Sequence, residues 1–528
     1  MLNLFKEEKI IYKLKTLAVL ATAVFFVFRI IYAGILALPY PKEILEPANV
    51  ALTNTFLDGY SPYTLASLER RIPGVNYDYP FMNSLVAAAI AKIMGCGAVT
   101  AHFVISLLSI LGSGVIGYAV TAKCAKTTVA PVLTGLMFMF CHWRFGYISA
   151  APDDLGLLLY LLTIYAASSD RVRNKPVWCA VGITLCFYTK QYFIFAAVPV
   201  FIYMLLYSVK DAIRLFLYTI AINAAAAVII TMEWPLYWMK TIAFTYLGAG
   251  IGGGFRFSTF LEQLDYLVFS FAALFAIVVV AAFMGIRKLR RSNIRLKSLR
   301  VRENDPFAMS VVAAVVMIVP LSIIGRNDGA LISYFLQLWM PEVSLVAAIC
   351  MERMIPVSKE KERIYVIVYA AAIAVTLYFG FGRLPLHILT AEETANWQKA
   401  YAYTKEYSED GDVFYSRSLA YDGFARGNGE WYCGHEGEVS ENTVSVFTDA
   451  GIPTEYFPYM QPLVDQNLEY RQGIVNKAQN HEYSLITADS FDFNILSEEF
   501  CEQNGYRLID RLDLQLGNMP YEVVFYAR

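Results

Sequence analysis

Long apolar stretches recur along the first three quarters of the chain, each close to the length that crosses a bilayer and each ended by a short polar turn. They predict spanning helices near 16–38, 101–122, 128–148, 155–169, 177–190, 192–208, 212–232, 266–286, 307–324, 331–351 and 364–382. The stretch 177–208 reads as two short helices broken around Lys190-Gln191. Phe81–Gly95 is apolar too, but it is short for a crossing and carries Asn83 and Lys92, so an interfacial helix is predicted there. After residue 382 the pattern changes. The tail is polar and rich in Gly and Asp, and DVFYS, VSVFT, YSLIT and YEVVFY read as strands between helical and loop segments. The reading is an α-helical polytopic membrane protein of about eleven transmembrane helices (1–382) with a small C-terminal α/β domain (383–528).

The placement of charge orients this arrangement. Lys6, Lys9, Lys13 and Lys15 precede the first span. Lys123 and Lys126, then Arg171, Arg173 and Lys175, then Lys210 and Arg214 occupy alternate turns. Eight basic residues follow between Arg287 and Arg302, and four between Arg353 and Arg363. All of these become cytoplasmic in one eleven-helix assignment with the N-terminus inside. The first span is about twice the length of a signal-peptide core, so it is expected to be retained. The first loop (39–100), the turn before 155, the break at Lys190-Gln191, the loops 233–264 and 325–330, and the tail then lie on the outer face.

Composition adds exclusions. The chain of 528 residues is 57% hydrophobic and 17% charged, with a net charge of −2. Nothing in that balance points to a nucleic-acid partner; the expected surroundings are membrane lipid. Of eight cysteines, Cys433 and Cys501 sit in the polar tail and are the two placed to pair if the tail is extracytoplasmic. Cys and His spacing suggests no zinc site.

Charged and aromatic residues therefore gather at one face. Glu43 and Glu46 stand beyond the first span, ahead of the turn Asp58-Gly59-Tyr60-Ser61-Pro62-Tyr63. Tyr77-Asp78-Tyr79-Pro80 reads as interface-type sequence. In Ala151-Pro152-Asp153-Asp154-Leu155-Gly156 one aspartate serves as a helix cap and the second is surplus, with His142 and Arg144 upstream. Lys190 either snorkels to the interface or holds an anionic ligand such as a lipid phosphate. Arg326 and Asn327 precede a helix carrying Tyr334 and Gln337.

In this order the motifs resemble those of the GT-C glycosyltransferases, a superfamily that includes protein O-mannosyltransferases, aminoarabinose transferases and oligosaccharyltransferases. Glu46 precedes a Gly-x-x-Pro-Tyr turn, Tyr77 to Pro80 follows, and Pro152 to Gly156 forms a Pro-Asp-x-Leu-Gly frame. Lys190-Gln191 comes next. Gly329 to Phe335 then approximates a Gly-x-x-x-Asn-Tyr-Phe helix, with Ser333 in place of the asparagine. The first loop lacks the adjacent Asp-Glu pair of many relatives, leaving Glu46 as the counterpart and Glu43 as its rival.

The resemblance implies transfer of a sugar from a polyprenyl-phosphate donor to a glycan, lipid or protein hydroxyl on the outer face of the cell envelope, with inversion. A carboxylate suits the general base, and Glu46 is assigned that role. Asp153 and Asp154 would either orient the acceptor or bind a divalent cation such as Mg or Mn. Lys190 and Arg326 would face the leaving phosphate, and Tyr79, Arg144, Gln191, Tyr334 and Glu43 complete the expected substrate contacts. A transporter or flippase of a lipid-linked or small polar solute is the alternative; it predicts charges at mid-bilayer and an inverted repeat.

Overall fold

The computed structural model describes residues 40–41, 46–69, 79–127, 129–142, 148–243, 261, 272–291, 301–324, 337–354, 367–369, 371–372, 375, 389–426, 429–431, 444, 448, 455, 457–489, 495–516 and 519–528. A helical bundle comes first. Its elements are α1 (Glu46–Leu57), α2 (Met82–Met94), α3 (Ala98–Cys124), α4 (Val129–Phe140), α5 (Asp153–Ala167), α6 (Lys175–Thr189), α7 (Ala197–Tyr207), α8 (Val209–Glu233), α9 (Ala272–Arg291), α10 (Pro306–Val316), α11 (Ile318–Ile324) and α12 (Met340–Met354). By length and composition, α3 and α8 are long and apolar enough to cross a membrane. At 1.5 Å per residue, α3 extends about 40 Å.

Local chemistry explains several boundaries. The segment expected as one helix over 307–324 is interrupted at Met317. Pro320 has no N–H to offer the Val316 carbonyl and its ring crowds that turn. The break at Lys190-Gln191 is present as read. Lys190 is extended (φ −155°, ψ 130°), and a 3-10 turn over Gln191–Ala196 leads into α7. The α2 helix stops at Gly95, whose φ of 65° is the left-handed conformation that suits glycine at a helix end.

The expected basic turns meet at one end of the bundle. Lys123 pairs with Asp170 at 2.7 Å, and Lys175 reaches Asn304 Oδ1 at 2.5 Å. The Glu352 carboxylate accepts the backbone N–H groups of Lys126 and Thr127 at 2.7 and 3.0 Å. Arg353 lies over the Phe307 ring. At the opposite end lie the start of α3, the start of α5 and the α6 break.

The C-terminal unit opens with α13 (Ala391–Ser408), begun by a reciprocal capping box between Thr390 and Glu393. A mixed five-stranded sheet follows, built from β1 (Asp412–Tyr415), β2 (Glu430–Trp431), β3 (Tyr483–Asp489), β4 (Arg507–Leu516) and β5 (Met519–Ala527) in the order β2-β1-β3-β5-β4. The β1 strand is parallel to β2 and β3, while β5 is antiparallel to β3 and β4. Helices α14 (Ala420–Arg426), α15 (Met460–Gln479) and α16 (Glu498–Gln503) complete it.

Three of the four expected strand segments, DVFYS, YSLIT and YEVVFY, fall on β1, β3 and β5. VSVFT does not read correctly. Its described residues, Val444 and Thr448, are helical, with the Thr448 hydroxyl on the Val444 carbonyl at 2.9 Å. A hydroxyl meets the carbonyl four residues back only on a helical turn, so the bond accompanies the helix and does not cause it. Cys501 is a free, buried thiol, pushed up to about 12 by burial, and not half of a disulfide; Cys433 lies outside the described residues.

The two units share an apolar seam. Tyr40 stacks on Trp397 with ring centroids 4.9 Å apart, Leu236 and Met239 pack with Met460, Leu463 and Val464, and Gln466 donates to the Ser67 carbonyl at 2.7 Å.

Candidate active site

The site is assembled around the residue preceding the Ala151-Pro152-Asp153-Asp154 turn. The N–H of Ala150 donates to Glu46 Oε1 at 2.8 Å, and its carbonyl accepts from Asn83 Nδ2 at 3.4 Å. The same Asn83 amide meets His102 Nδ1 at 3.3 Å, while His102 Nε2 bonds the Thr53 hydroxyl at 2.8 Å. One histidine and one asparagine thus tie α1, α2 and α3 to the start of α5. Glu46, at the first position of α1, is fully buried and bonded from two directions; Tyr421 of α14 donates to its Oε2 at 3.3 Å.

The adjacent aspartates diverge. Asp153 accepts from Lys190 Nζ at 2.6 Å and from the Tyr192 hydroxyl at 2.7 Å, and that hydroxyl lies 3.0 Å from Gln337 Oε1. Lys190 also lies over the rings of Tyr79 and Tyr192, 4.4 and 4.9 Å from their centroids. Asp154 turns the other way, to Ser106 and to His142 Nδ1 at 2.9 Å, while His142 Nε2 meets Ser113 at 2.7 Å. The expected capping role is corrected: the cap position of α5 is Pro152, and both aspartates lie inside its first turn. Both aspartates are 3% exposed, and at that burial side-chain partners, not solvent, must offset the cost of the charge.

Glycine at 156 has a steric reason. A Cβ there would lie 2.2 Å from Phe193 Cε2, inside a ring that is wholly buried. The close approach sets the α6 break against the first turn of α5, which is what brings Lys190 and Tyr192 to Asp153.

Gln191, the other half of the break, donates to the Thr241 carbonyl at 3.2 Å. Beside Thr241, Lys240 lies in a π-helical turn over Met239–Ala243 and donates to the Pro62 carbonyl at 3.0 Å. Burial lowers the Lys240 ammonium from 10.5 to about 8, and among the described residues no carboxylate pairs with it. The Gly-x-x-Pro-Tyr turn, the Lys-Gln break and this turn are therefore neighbours, lined by Tyr63, Phe81, Tyr188, Trp234 and Tyr237.

Of the residues singled out in the sequence, Glu46, Asp153, Asp154, Lys190, Gln191 and Tyr79 are brought to one end of the bundle. Glu43, Arg144, Arg326 and Tyr334 lie outside the described residues. Sequence reading did not select Ser106, Tyr192, Lys240 or Tyr421. Tyr192 was adjacent to a chosen motif; Lys240 and Tyr421 carry no local signal, because each reaches the site through a contact distant in sequence.

The pair Asp153 and Asp154 does not fit a shared divalent cation. A metal needs both carboxylates turned to one point, whereas Lys190 engages the first and His142 with Ser106 the second. No group of three His, Cys, Asp or Glu side chains that could hold a metal occurs among the described residues.

No protein-family model matches the sequence, and no curated protein matches it. Solved structures do. The chain aligns with ArnT from Cupriavidus metallidurans in the apo state over 97% of its own length and 98% of that chain, with TM-score 0.53 and 12% identity. The same protein bound to undecaprenyl phosphate gives TM-score 0.54 and 10% identity over 97% of each chain. The oligosaccharyltransferase of Archaeoglobus fulgidus in the apo form gives TM-score 0.50 and 10% identity, over 93% of this chain and 72% of that one. The overall architecture is thus similar to that of ArnT and of this oligosaccharyltransferase. At such identity what is shared is the fold.

Proposed function

We propose that the protein is an integral membrane glycosyltransferase that moves a sugar from a polyprenyl-phosphate donor to an acceptor hydroxyl outside the cytoplasm. The observation that carries this reading is the convergence of Glu46, Asp153 and Lys190 at the end of the bundle opposite the basic turns. Further support comes from the fold: one structure of similar architecture is described as bound to undecaprenyl phosphate. Basic turns at the far end favour a cytoplasmic N-terminus, about eleven spans over 1–382, and an extracytoplasmic unit over 383–528.

In this proposal Glu46 takes the proton of the acceptor hydroxyl as its oxygen attacks the anomeric carbon. The bond to the phosphate oxygen breaks in the same step, which inverts the anomeric centre. Negative charge then grows on the departing lipid phosphate. Lys190, held by Asp153 and two aromatic faces in a buried setting, is the described cation placed to stabilise it, with Arg326 the expected second. Asp153 fixes where the ammonium points, and Asp154 fixes the turn that carries Asp153.

The test is Glu46→Gln, assayed with a panel of polyprenyl-phosphate hexoses and pentoses in liposomes. Transfer is expected to fall at least about 100-fold, the lower range for a general base, while polyprenyl phosphate binding persists. Wild-type transfer by Glu46→Gln would remove the assignment.

A further inference from the structure

The C-terminal unit is joined to the bundle by an apolar seam, yet one polar contact passes beyond that seam to Glu46. Tyr421 lies 375 positions from Glu46 in sequence, and its hydroxyl donates to Glu46 Oε2 at 3.3 Å. Its ring is 4% exposed and packs with Val50, Ala98 and Ala150, the last being the residue whose N–H holds Glu46 Oε1. The bundle and the tail thus each donate to an oxygen of this carboxylate, the Ala150 N–H to Oε1 and the Tyr421 hydroxyl to Oε2.

The tail is built to hold that hydroxyl still. Tyr421 follows β1 after a 3-10 turn over Arg417–Leu419. The Ser416 N–H donates to the Thr487 hydroxyl at 2.7 Å, which fastens the end of β1 to β3. Next to Tyr421, Asp422 accepts from the Thr404 hydroxyl of α13 at 2.6 Å. Docking does not depend on the phenol oxygen, because the Tyr40–Trp397 stack, the Gln466–Ser67 bond and the cluster around Met460 hold the units together without it.

A glutamate's last torsion is broad, so a carboxylate bonded at one oxygen swings about its Cγ–Cδ bond. A base must meet the acceptor proton within a narrow range of distance and angle. A donor on each oxygen narrows the range of that torsion, and the Tyr421 hydroxyl is the donor from the tail. We propose that the C-terminal unit completes the catalytic site, and that Tyr421 is the positioning residue through which it fixes the Glu46 carboxylate plane for the acceptor hydroxyl. This rests on the reading of Glu46 as the general base.

The experiment compares full-length Tyr421→Phe, Tyr421→Ala, Glu46→Gln and the double variant Tyr421→Phe/Glu46→Gln in liposomes. Initial rates are measured against a panel of polyprenyl-phosphate hexoses and pentoses, and binding is measured with polyprenyl phosphate alone. The expected result for Tyr421→Phe is a kcat reduced about tenfold, the effect of losing a hydrogen bond to a charged group. KM should stay within about twofold and lipid-phosphate capacity should be unchanged. The double variant should be no slower than Glu46→Gln, since Tyr421 acts through that carboxylate. Wild-type kcat in Tyr421→Phe, with loss only in Tyr421→Ala, assigns the ring to packing and overturns the proposal while leaving the base intact. Wild-type kcat in Glu46→Gln overturns the base reading and the proposal with it.

Discussion

Lys190 and Asp153 are 37 residues apart in sequence and 2.6 Å apart in space, each almost wholly buried. The α6 break makes this possible, since a continuous helix would have carried Lys190 past the first turn of α5. Removing one member of a buried pair takes the countercharge from the other, and the Tyr192 hydroxyl on Asp153 is a neutral partner that does not replace it. Lys190→Met is therefore expected to cost about 3–5 kcal/mol of stability, together with transfer activity. Lys190→Met/Asp153→Asn should recover much of the stability and none of the transfer. Thermal unfolding in detergent, alongside liposome rates, separates the two effects.

Gly156→Ala drives a methyl into the Phe193 ring, which has no room to retreat. Overpacking of this kind costs about 1–3 kcal/mol. Because Tyr192 and Lys190 are carried on the same break, transfer is expected to drop as well. Gly156→Ala/Phe193→Leu should restore part of both, measured by melting temperature and initial rate.

The Lys240 ammonium, held at about 8 in the fold against 10.5 in water, makes stability depend on pH in a definite direction. Between about pH 8 and 10.5 the unfolded chain carries this proton and the folded protein does not, so this residue's contribution to stability rises with pH through that window. The melting temperature of the wild type minus that of Lys240→Met should therefore climb as pH is raised from 8. A flat difference across the window would show that the lysine is charged where it lies.

Glu352→Ala strips the acceptor from the N–H groups of Lys126 and Thr127 at the far end of the bundle. Stability should fall by about 1–3 kcal/mol for the exposed donors. Transfer per folded molecule should match the wild type, because the residue lies among the basic turns and away from Glu46. A selective loss of turnover would mean that the two ends are coupled.

The bundle was legible in the sequence because apolar length and the spacing of Lys and Arg are local signals. The break at Lys190-Gln191 was legible for the same reason, a cation and an amide interrupting an apolar run. Strand β4 escaped notice because Arg507, Asp510, Arg511 and Asp513 mask it, and a register shift between Leu508 and Asp510 breaks the alternation that Leu512, Leu514 and Leu516 resume. The roles of Asp153 and Asp154 could not be separated from spacing alone. Which of the two meets Lys190 and which meets His142 depends on how α3, α4 and α6 surround the turn. Tyr421 was invisible for a related reason: one tyrosine among 36 acquires meaning only from what it touches.

The contact between Tyr421 and Glu46 also has a direction in time. The Ala150 N–H is synthesised about a hundred residues after Glu46, and the Tyr421 hydroxyl only after 375. A chain that ends between the last bundle helix and Tyr421 carries the described bundle helices and Lys190, but its Glu46 carboxylate lacks the tyrosine hydroxyl. Full turnover would then be reserved for molecules whose synthesis has run past the tail helix, which makes the last-made portion of the polypeptide a checkpoint on the first.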